Sequence, residues 1–302
     1  MLAVLLVAAG LPSLAQNPEP PPRQTPEAQP GQAQGDQNRA VLPVAPGEPA
    51  IKNKDLFEKT GYFHPFRRMP RFVLEDQKTI WTSPFHTSKK DAKYWAIFGG
   101  ATGVLIAFDE QIQKAAPNPQ WLVDLGTKGS YLGAAYTLIP IAGGFYFLGS
   151  KTGNERFREA GLMSFEALIS STIVEEVIKV TTFRERPLEG TGEGRFFHSP
   201  NPINAGFPSG HAINTFAMAS IFAHEYHDKL WVKILAYSYA GIVAGSRLAA
   251  DKHFPSDTLA GGAMGWFIGD YIYARRHNSG LDHRASLTHK IFEHVQLNFA
   301  GF

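Results

Sequence analysis

Three short clusters of polar residues stand at the ends of apolar stretches, and each contains groups that can bind an anion. The first runs Lys179-Val-Thr-Thr-Phe-Arg-Glu-Arg186-Pro187. Lys179 and Arg186 are seven residues apart, about two helical turns, so the spacing predicts two cations on nearly the same helix face. Pro187 disfavours helix at Arg186 and marks the end of that helix. A basic helix end that only stabilises the helix dipole is the alternative.

The second cluster, Phe207-Pro208-Ser209-Gly210-His211, comes directly before a further apolar stretch. Ser209 can cap the helix that begins there, and Gly210 permits a close backbone approach. Free N–H groups at a helix N-terminus bind anions, and His211 would lie in the first turn beside them. A histidine with a purely capping role is the alternative.

The third cluster separates two apolar stretches and runs from Ser246 to Asp257. Pro255 is tolerated in a first helical turn, which places His253 just outside the helix and Asp257 just inside it. A carboxylate on one imidazole nitrogen fixes the tautomer and leaves the other nitrogen free to attack. Arg247 adds a guanidinium fork that suits phosphate oxygens.

Together the clusters supply the components of phosphoryl transfer: cations for the equatorial oxygens, a nucleophile, and an acid for the leaving group. Cationic side chains can neutralise the charge, so no metal is required. The chain has no cysteine, which excludes disulfides and thiolate chemistry. Its 29 Lys+Arg against 27 Asp+Glu give a net charge of only +2, which provides no general electrostatic reason to expect nucleic acid as a partner.

The motifs Lys-x6-Arg-Pro, Pro-Ser-Gly-His and Ser-Arg-x5-His-x3-Asp occur in this order and resemble the signature of the type 2 phosphatidic acid phosphatase superfamily. That superfamily also includes bacterial non-specific acid phosphatases and vanadium haloperoxidases. The resemblance implies that His253 is the nucleophile, that Asp257 orients it, and that His211 protonates the leaving oxygen. It also implies a phosphate cradle, formed by Lys179, Arg186, Ser209, Gly210 and Arg247.

One departure from this pattern is Asp251-Lys252, where many relatives have a glycine and an apolar residue before the histidine. An extra anion near the cradle could modulate the affinity for phosphate, although Lys252 can neutralise it. The departure leaves the reaction class intact and bears on the choice of substrate.

The leading hypothesis is a metal-independent phosphatase without a cofactor, which hydrolyses phosphomonoesters through a phosphohistidine intermediate. Lipid phosphates and lipid pyrophosphates are the leading substrates. One alternative is a vanadate-dependent haloperoxidase, in which His253 would ligate vanadate. Another is a catalytically silent, membrane-associated binding bundle, which has no need of both His211 and His253. His224 and His227 have the helical spacing of metal ligands, but without a third ligand a polar helix end is preferred.

The fold class predicted for the chain is all-α. Six apolar stretches rich in Ala, Leu, Met and Ile have the lengths of helices, and six helices favour a bundle. Gly261, Gly265 and Gly269 share one face of the sixth helix, and Gly241 and Gly245 share a face of the fifth, which predicts close helix packing. The six stretches are Tyr94–Phe108, Ser130–Ser150, Ala160–Val180, Ala212–His224, Val232–Ser246 and Thr258–Ala274.

The N-terminal residues differ in composition from this bundle. An apolar run that ends in Ser-Leu-Ala is typical of a signal peptide, although no basic residue precedes Arg23. The following segment is dominated by Pro, Gln and Gly, which predicts a disordered tether. The predicted organisation is signal peptide 1–15, disordered linker 16–50, ordered N-terminal extension 51–93, phosphatase bundle 94–275 and polar C-terminal tail 276–302. Within the tail, His294–Phe299 weakly suggests a strand.

The signal peptide predicts export, to the periplasm or another extracytoplasmic site. Only Ser130–Ser150 is an uncharged run of spanning length. After cleavage of a signal, the first three of six spans would carry the Lys179 and His211 loops to the cytoplasm. The basic residues that flank the spans would then lie on the opposite side, against the positive-inside rule. A soluble or membrane-associated bundle is therefore preferred, and an integral membrane form stays open. No oligomeric state is predicted.

Overall fold

All regular structure in the described part of the chain is helical, so the all-α prediction is confirmed. The computed structural model describes residues 64–82, 92–115 and 118–277. The helices are α1 His64–Thr82, α2 Ala92–Ala115, α3 Gln120–Ser130, α4 Ala135–Thr152, α5 Glu155–Thr182, α6 Gly210–Glu225, α7 Leu230–Ala249 and α8 Pro255–Arg276, with short 3-10 turns at Tyr131–Gly133 and Pro202–Asn204.

Five of the six predicted apolar stretches lie within a helix, in α2 and in α5 to α8. The stretch Ser130–Ser150 begins at the end of α3, passes through the 3-10 turn Tyr131–Gly133 and continues as α4. Two helices were not predicted. The short helix α3 carries two glycines and two charged residues, so it has no continuous apolar run. The helix α1 has Pro70 in its interior and many charged residues, and only its spacing of apolar side chains marks it as helical. The signal peptide, the linker and the proposed strand at His294–Phe299 lie outside the described residues.

The helices α5, α6 and α8 form the centre of the bundle. A β-carbon at Gly261, Gly265 or Gly269 would lie 2.6 Å or less from a backbone carbonyl oxygen of α6 or of Ser209, which precedes it. The packing predicted for this row is therefore confirmed. The interpretation of Gly241 and Gly245 was wrong, because both are exposed and a β-carbon at either would meet no described atom within 4 Å.

The helix α1 docks on this centre through a buried ionic contact. The guanidinium group of Arg276 at the end of α8 lies 3.0 Å from Asp76 of α1 and 2.7 Å from Glu166 of α5. All three side chains are almost fully buried. Removing the arginine would leave two buried carboxylates without their cation, which is strongly destabilising, so α1 is an integral part of the bundle.

The outward faces of several helices are apolar. In α2 the exposed side chains include Ile97, Val104 and Phe108, and in α7 they include Trp231 and Ile242. Soluble monomers rarely expose contiguous apolar patches of this kind unless the patch meets a membrane or another protein. These faces therefore mark contact surfaces along the sides of the bundle.

One stretch of the described residues, Gln120–Thr152, is long and apolar enough to cross a membrane. It comprises α3, the following turn and α4. Only 28% of its most apolar part is buried within the protein, whereas the core helix of a soluble protein would be mostly buried. This stretch and the apolar side faces support association with a membrane.

Candidate active site

The three polar clusters meet at one end of the bundle. The C-terminal ends of α5 and α7 and the N-terminal ends of α6 and α8 lie at this end, joined by the loops 183–209 and 250–254. The helical-face argument for Lys179 and Arg186 was wrong in detail. The helix α5 ends at Thr182, and Phe183 turns the chain with a left-handed φ of 41°. The loop, not a shared helix face, carries Arg186.

Lys179 is buried in the last turn of α5 and forms an ion pair with Glu175, one turn earlier. Its ammonium nitrogen also lies 3.7 Å from a carboxylate oxygen of Glu176. The Glu175 carboxylate packs directly against Gly210, where a β-carbon would overlap it. Gly210 thus permits the close approach that the sequence indicated, and the group that approaches in this structure is the Glu175–Lys179 pair.

Arg186 is held from two sides by backbone and amide oxygens. Its Nε donates to the carbonyl oxygen of Asn204 at 2.8 Å, and one Nη donates to the amide oxygen of the same residue at 2.6 Å. The other Nη approaches the carbonyl oxygen of Lys252 at 3.5 Å. The short contacts are all to neutral oxygens, and the nearest carboxylate, that of Glu189, lies 3.8 Å from Nε. Arg186 therefore keeps hydrogen-bonding capacity on its Nη groups for an anion.

Two buried donors at this end have no protein partner. The hydroxyl of Ser209 and the Nε of Arg247 are both inaccessible to solvent and make no hydrogen bond with the described residues. Ser209 stands at the N-cap of α6 but makes no side-chain cap bond, so the capping role predicted for it was wrong. Buried donors are rarely left unpaired without a reason. Their position beside Arg186 and Lys179 fits a site that receives an oxyanion.

His253 lies in the loop before α8 and is almost completely buried. Its Nδ1 lies 2.8 Å from the carbonyl oxygen of Gly206. Because a carbonyl can only accept a hydrogen bond, Nδ1 carries the proton and Nε2 has the free lone pair. Burial, followed by the positive charges of Arg186 and Arg247, lowers the pKa of His253 well below its usual range. The imidazole is therefore neutral.

Asp257 lies close to His253 but does not hydrogen-bond to it. Its Oδ2 is 3.6 Å from the imidazole Nδ1 and accepts a hydrogen bond from the backbone N–H of Phe254 at 2.8 Å. Its other oxygen accepts from Arg184. The carboxylate therefore acts on the imidazole through its charge, and the carbonyl of Gly206 provides the orienting hydrogen bond.

His211 occupies the first turn of α6 and is partly buried. It interacts electrostatically with Arg247, His253 and Lys179, which places it at the same anion site. The 3-10 turn before α4 packs against it, since a β-carbon at Gly133 would lie 3.0 Å from the imidazole Cδ2. All eight residues assigned to the site from the sequence therefore converge at one end of the bundle.

Asp251, the residue that departs from the family pattern, has a structural role. It adopts a left-handed φ of 51°, a conformation that aspartate tolerates better than most residues. Its carboxylate accepts hydrogen bonds from Gln113 at 2.7 Å and Asn118 at 2.6 Å. It thus ties the end of α2 and the start of α3 to the loop that carries His253, and no second anion is left free at the cradle.

Four residues of this site were missed from the sequence: Gly206, Arg184, Asp109 and Ser256. Arg184 lies in the same polar run as Arg186, and Gly206 directly precedes the second motif, so both had a positional signal. Asp109 follows directly after the apolar stretch that defines α2. Its only signal in the sequence is this position, where a charged residue next to an apolar stretch is a candidate for burial.

The histidine pair His224 and His227 lies at the opposite end of α6. His224 contacts Asp270 at 3.3 Å, whereas His227 is exposed. A different group with the spacing of metal ligands, Glu159, Glu225 and His277, lies at that same distant end. At that end, Arg156 lies 3.8 Å from Glu225. The cluster therefore already forms ion pairs within the protein.

The described part of the chain is thus an all-helical bundle with three cationic side chains and an oriented, neutral histidine at one end. Residues 160–280 match a family model described as the PAP2 superfamily. This region contains all three motifs, so the match agrees with the resemblance to this superfamily that the motifs predicted.

The chain is similar to several curated phosphatases. It is 35% identical over 68 residues to a lipid A 1-phosphatase of Porphyromonas gingivalis, covering 22% of this chain and 15% of that protein. It is 28% identical over 181 residues to phosphatidylglycerophosphatase B of Bacillus subtilis, covering 55% of this chain and 82% of that protein. The chain thus spans most of the second relative and only a small part of the first.

Among solved structures, the chain resembles a transmembrane PAP2 type phosphatidylglycerolphosphate phosphatase from Bacillus subtilis. The TM-score is 0.43 at 22% sequence identity, and the alignment covers 74% of this chain and 97% of that chain.

Proposed function

We propose that this protein is a metal-independent phosphatase that hydrolyses lipid phosphates through a phosphohistidine intermediate. The observation that carries the proposal is the pair of buried, unpartnered donors, Ser209 Oγ and Arg247 Nε, beside a histidine whose free nitrogen is fixed as Nε2. A phosphoryl group would satisfy both donors. The PAP2 match and the phosphatase names of the relatives support the same reaction class.

In the first step, the lone pair of His253 Nε2 attacks phosphorus and forms a P–N bond, while the P–O bond to the leaving group breaks. The cations Lys179, Arg186 and Arg247 stabilise the charge on the equatorial oxygens. His211 donates its proton to the leaving oxygen. Burial, followed by the positive charge of Arg247, lowers the pKa of His211 to about 3. The negative charge of a bound phosphate ester raises this pKa again and makes the protonated form accessible.

In the second step, a water molecule attacks the phosphorus of the phosphohistidine. The P–N bond breaks, its electron pair returns to Nε2, and the water gives a proton to His211. Inorganic phosphate leaves, and both histidines return to their starting states. Throughout the cycle Nδ1 keeps its proton on the carbonyl of Gly206, so His253 always presents the same nitrogen to phosphorus.

The apolar side faces of the bundle support a lipid as the substrate. We infer that these faces contact the hydrocarbon of a membrane, so that a lipid headgroup can reach the cradle at one end of the bundle. The curated relatives are named for phosphorylated lipids, which agrees with this arrangement. Export to an extracytoplasmic compartment stays a prediction from the N-terminal sequence.

The function is tested by a phosphate-release screen on the full chain in detergent, with a chelator present throughout. We expect release from phosphatidic acid or a prenyl pyrophosphate, with weaker activity on soluble sugar phosphates, and no response to EDTA because cationic side chains neutralise the charge. Loss of activity on chelation, restored by magnesium or zinc, would contradict the metal-independent mechanism. Halogenation with vanadate, halide and peroxide, in place of phosphate release, would favour a haloperoxidase, and neither activity would favour a silent binding bundle.

The acid role of His211 is tested with leaving groups of different basicity. Replacing His211 by alanine should lower kcat by about 10²-fold for alkyl phosphates, which need protonation, and much less for activated aryl phosphates. The measurement is kcat for matched alkyl and nitrophenyl esters. His198, an exposed histidine of the loop 183–209, provides a matched alanine control. Equal losses on both esters would remove His211 from the acid role.

A further inference from the structure

A network of buried side chains with alternating charges, Asp257, Arg184 and Asp109, extends from His253 into the protein interior. Asp257 lies 3.6 Å from His253 Nδ1. The guanidinium group of Arg184 donates one Nη to Asp257 and the other to Asp109 of α2, at 2.7 Å for the second contact. The side chains of Arg184, Asp109 and Asp257 are at most 1% exposed. Asp109 lies outside the three motifs, and Arg184 occupies one of the unspecified positions of the first.

The arrangement holds Arg184 rigidly. Its Nε donates to the carbonyl oxygen of Gly194 at 3.0 Å. Its guanidinium group lies between two aromatic rings, 4.9 Å from the centroid of Phe196 and 4.8 Å from that of Phe254. Phe254 directly follows the nucleophile in sequence, so the position of Arg184 is coupled to the backbone that carries His253.

Asp109 is the charged group of this network that lies farthest from His253, and it is also fixed by several hydrogen bonds. Its carboxylate accepts hydrogen bonds from the backbone N–H of Ser256 at 3.1 Å and from the Ser256 hydroxyl, as well as from Arg184. Three donors thus surround one buried carboxylate. Ser256 is adjacent to Asp257, so α2 contacts the start of α8 beside the residues that support the nucleophile.

The charges of this network do not cancel. Two carboxylates share one guanidinium group, which leaves one net negative charge next to His253. When Nε2 bonds to phosphorus while Nδ1 keeps its proton, the imidazole ring becomes positive. A lone Asp257–Arg184 pair would be neutral and would stabilise this charge poorly. Asp109 offsets the charge of Arg184 and so leaves the charge of Asp257 available to the ring.

Resting on the proposed function, we propose that Asp109 and Arg184 are positioning residues that hold Asp257 and keep a negative charge beside the Nδ1 side of the nucleophile. Neither residue touches the substrate. Asp109 acts through Arg184, and Arg184 acts through Asp257 and Phe254. The proposal predicts that loss of Asp109 affects states in which His253 is bonded to phosphorus or vanadium, and leaves simple phosphate binding intact.

The test uses Asp109→Asn in the full chain, with Glu110→Gln as its matched control. Glu110 is the next residue of α2 and pairs only with Lys114 at the surface. We expect D109N to lower kcat by roughly 10- to 100-fold, the usual effect of removing an outer partner of a site group, with little change in KM. Orthovanadate, which accepts the Nε2 lone pair, should bind about tenfold more weakly, whereas inorganic phosphate should bind as in the wild type.

The proposal is overturned if D109N binds vanadate and phosphate more weakly by the same factor. It is also overturned if kcat and both binding constants of D109N equal those of the wild type. If D109N does not fold, Ser256→Ala removes one donor to Asp109 without changing a charge. It should lower kcat and vanadate affinity several-fold in the same pattern, and unchanged values would again overturn the proposal. If the wild type releases no phosphate from any ester, the proposed function fails, while the two binding measurements still decide the role of Asp109.

Discussion

Replacing His253 by alanine should abolish phosphate release, with a loss in kcat on the order of 10⁶-fold, as expected when a covalent nucleophile is removed. The cradle cannot substitute for it, because Lys179, Arg186 and Arg247 only neutralise charge. The measurements are kcat on a lipid phosphate and a rapid acid-free quench of the wild type during turnover with ³²P-labelled substrate. The label should appear on His253 as an acid-labile phosphoprotein and should be absent from the variant.

A matched control is available on α6. His227 is exposed, and His227→Ala should retain wild-type activity and labelling. Thermal unfolding of both variants separates a chemical from a folding defect. Substantial activity of H253A, or a label that survives acid and maps to another residue, would contradict the covalent mechanism.

The convergence of the assigned residues was predictable from the sequence because phosphate chemistry would require these side chain types together in one place. All eight assigned residues meet at one end of the bundle. The arrangement that unites them was less predictable. The spacing of Lys179 and Arg186 suggested one helix face, but α5 stops at Thr182, and a loop held by Asn204 places the arginine. Periodicity cannot show where a helix ends when the following residues are also charged.

The supporting contacts could not be predicted because they connect residues far apart in the chain. His253 takes its tautomer from the carbonyl of Gly206, a backbone group that no side-chain pattern reports. Asp109 reaches Arg184 across 75 positions, and its charge is informative only once its burial is known. The sequence thus indicates candidate chemical groups, whereas only the fold shows which other groups contact them.

The packing of α6 against α8 explains why the assigned site residues lie at helix ends. The glycine row of α8 brings α6 and α8 into backbone contact, so the start of each helix lies beside the other. The backbone N–H of Ser209 donates to the carbonyl oxygen of Asp257 at 3.0 Å across this junction. Close packing of two helices therefore sets the relative position of the second and third motifs, and with them the two histidines.

Replacing Arg247 by alanine should weaken catalysis and vanadate inhibition together. The Nε of Arg247 is buried without a partner, and no carboxylate of the described residues pairs with this guanidinium group, so its charge is free for the transferring phosphoryl group. We expect kcat/KM to fall by about 10³-fold, as for other arginines that stabilise phosphoryl transfer. Vanadate adopts the five-coordinate geometry of that transition state, so its inhibition constant should rise in proportion.

Arg195 provides the matched control for this prediction. It lies in the loop 183–209, and its guanidinium group is 49% exposed and pairs with Glu193 at the surface. Arg195→Ala should therefore leave both constants unchanged. Phosphate binding separates this prediction from that for Asp109. R247A should weaken the binding of phosphate and of vanadate alike, because both anions need the same guanidinium group. A large loss of kcat/KM in R247A with an unchanged vanadate inhibition constant would show that Arg247 acts outside the phosphoryl site, and would require a different cation to complete the cradle.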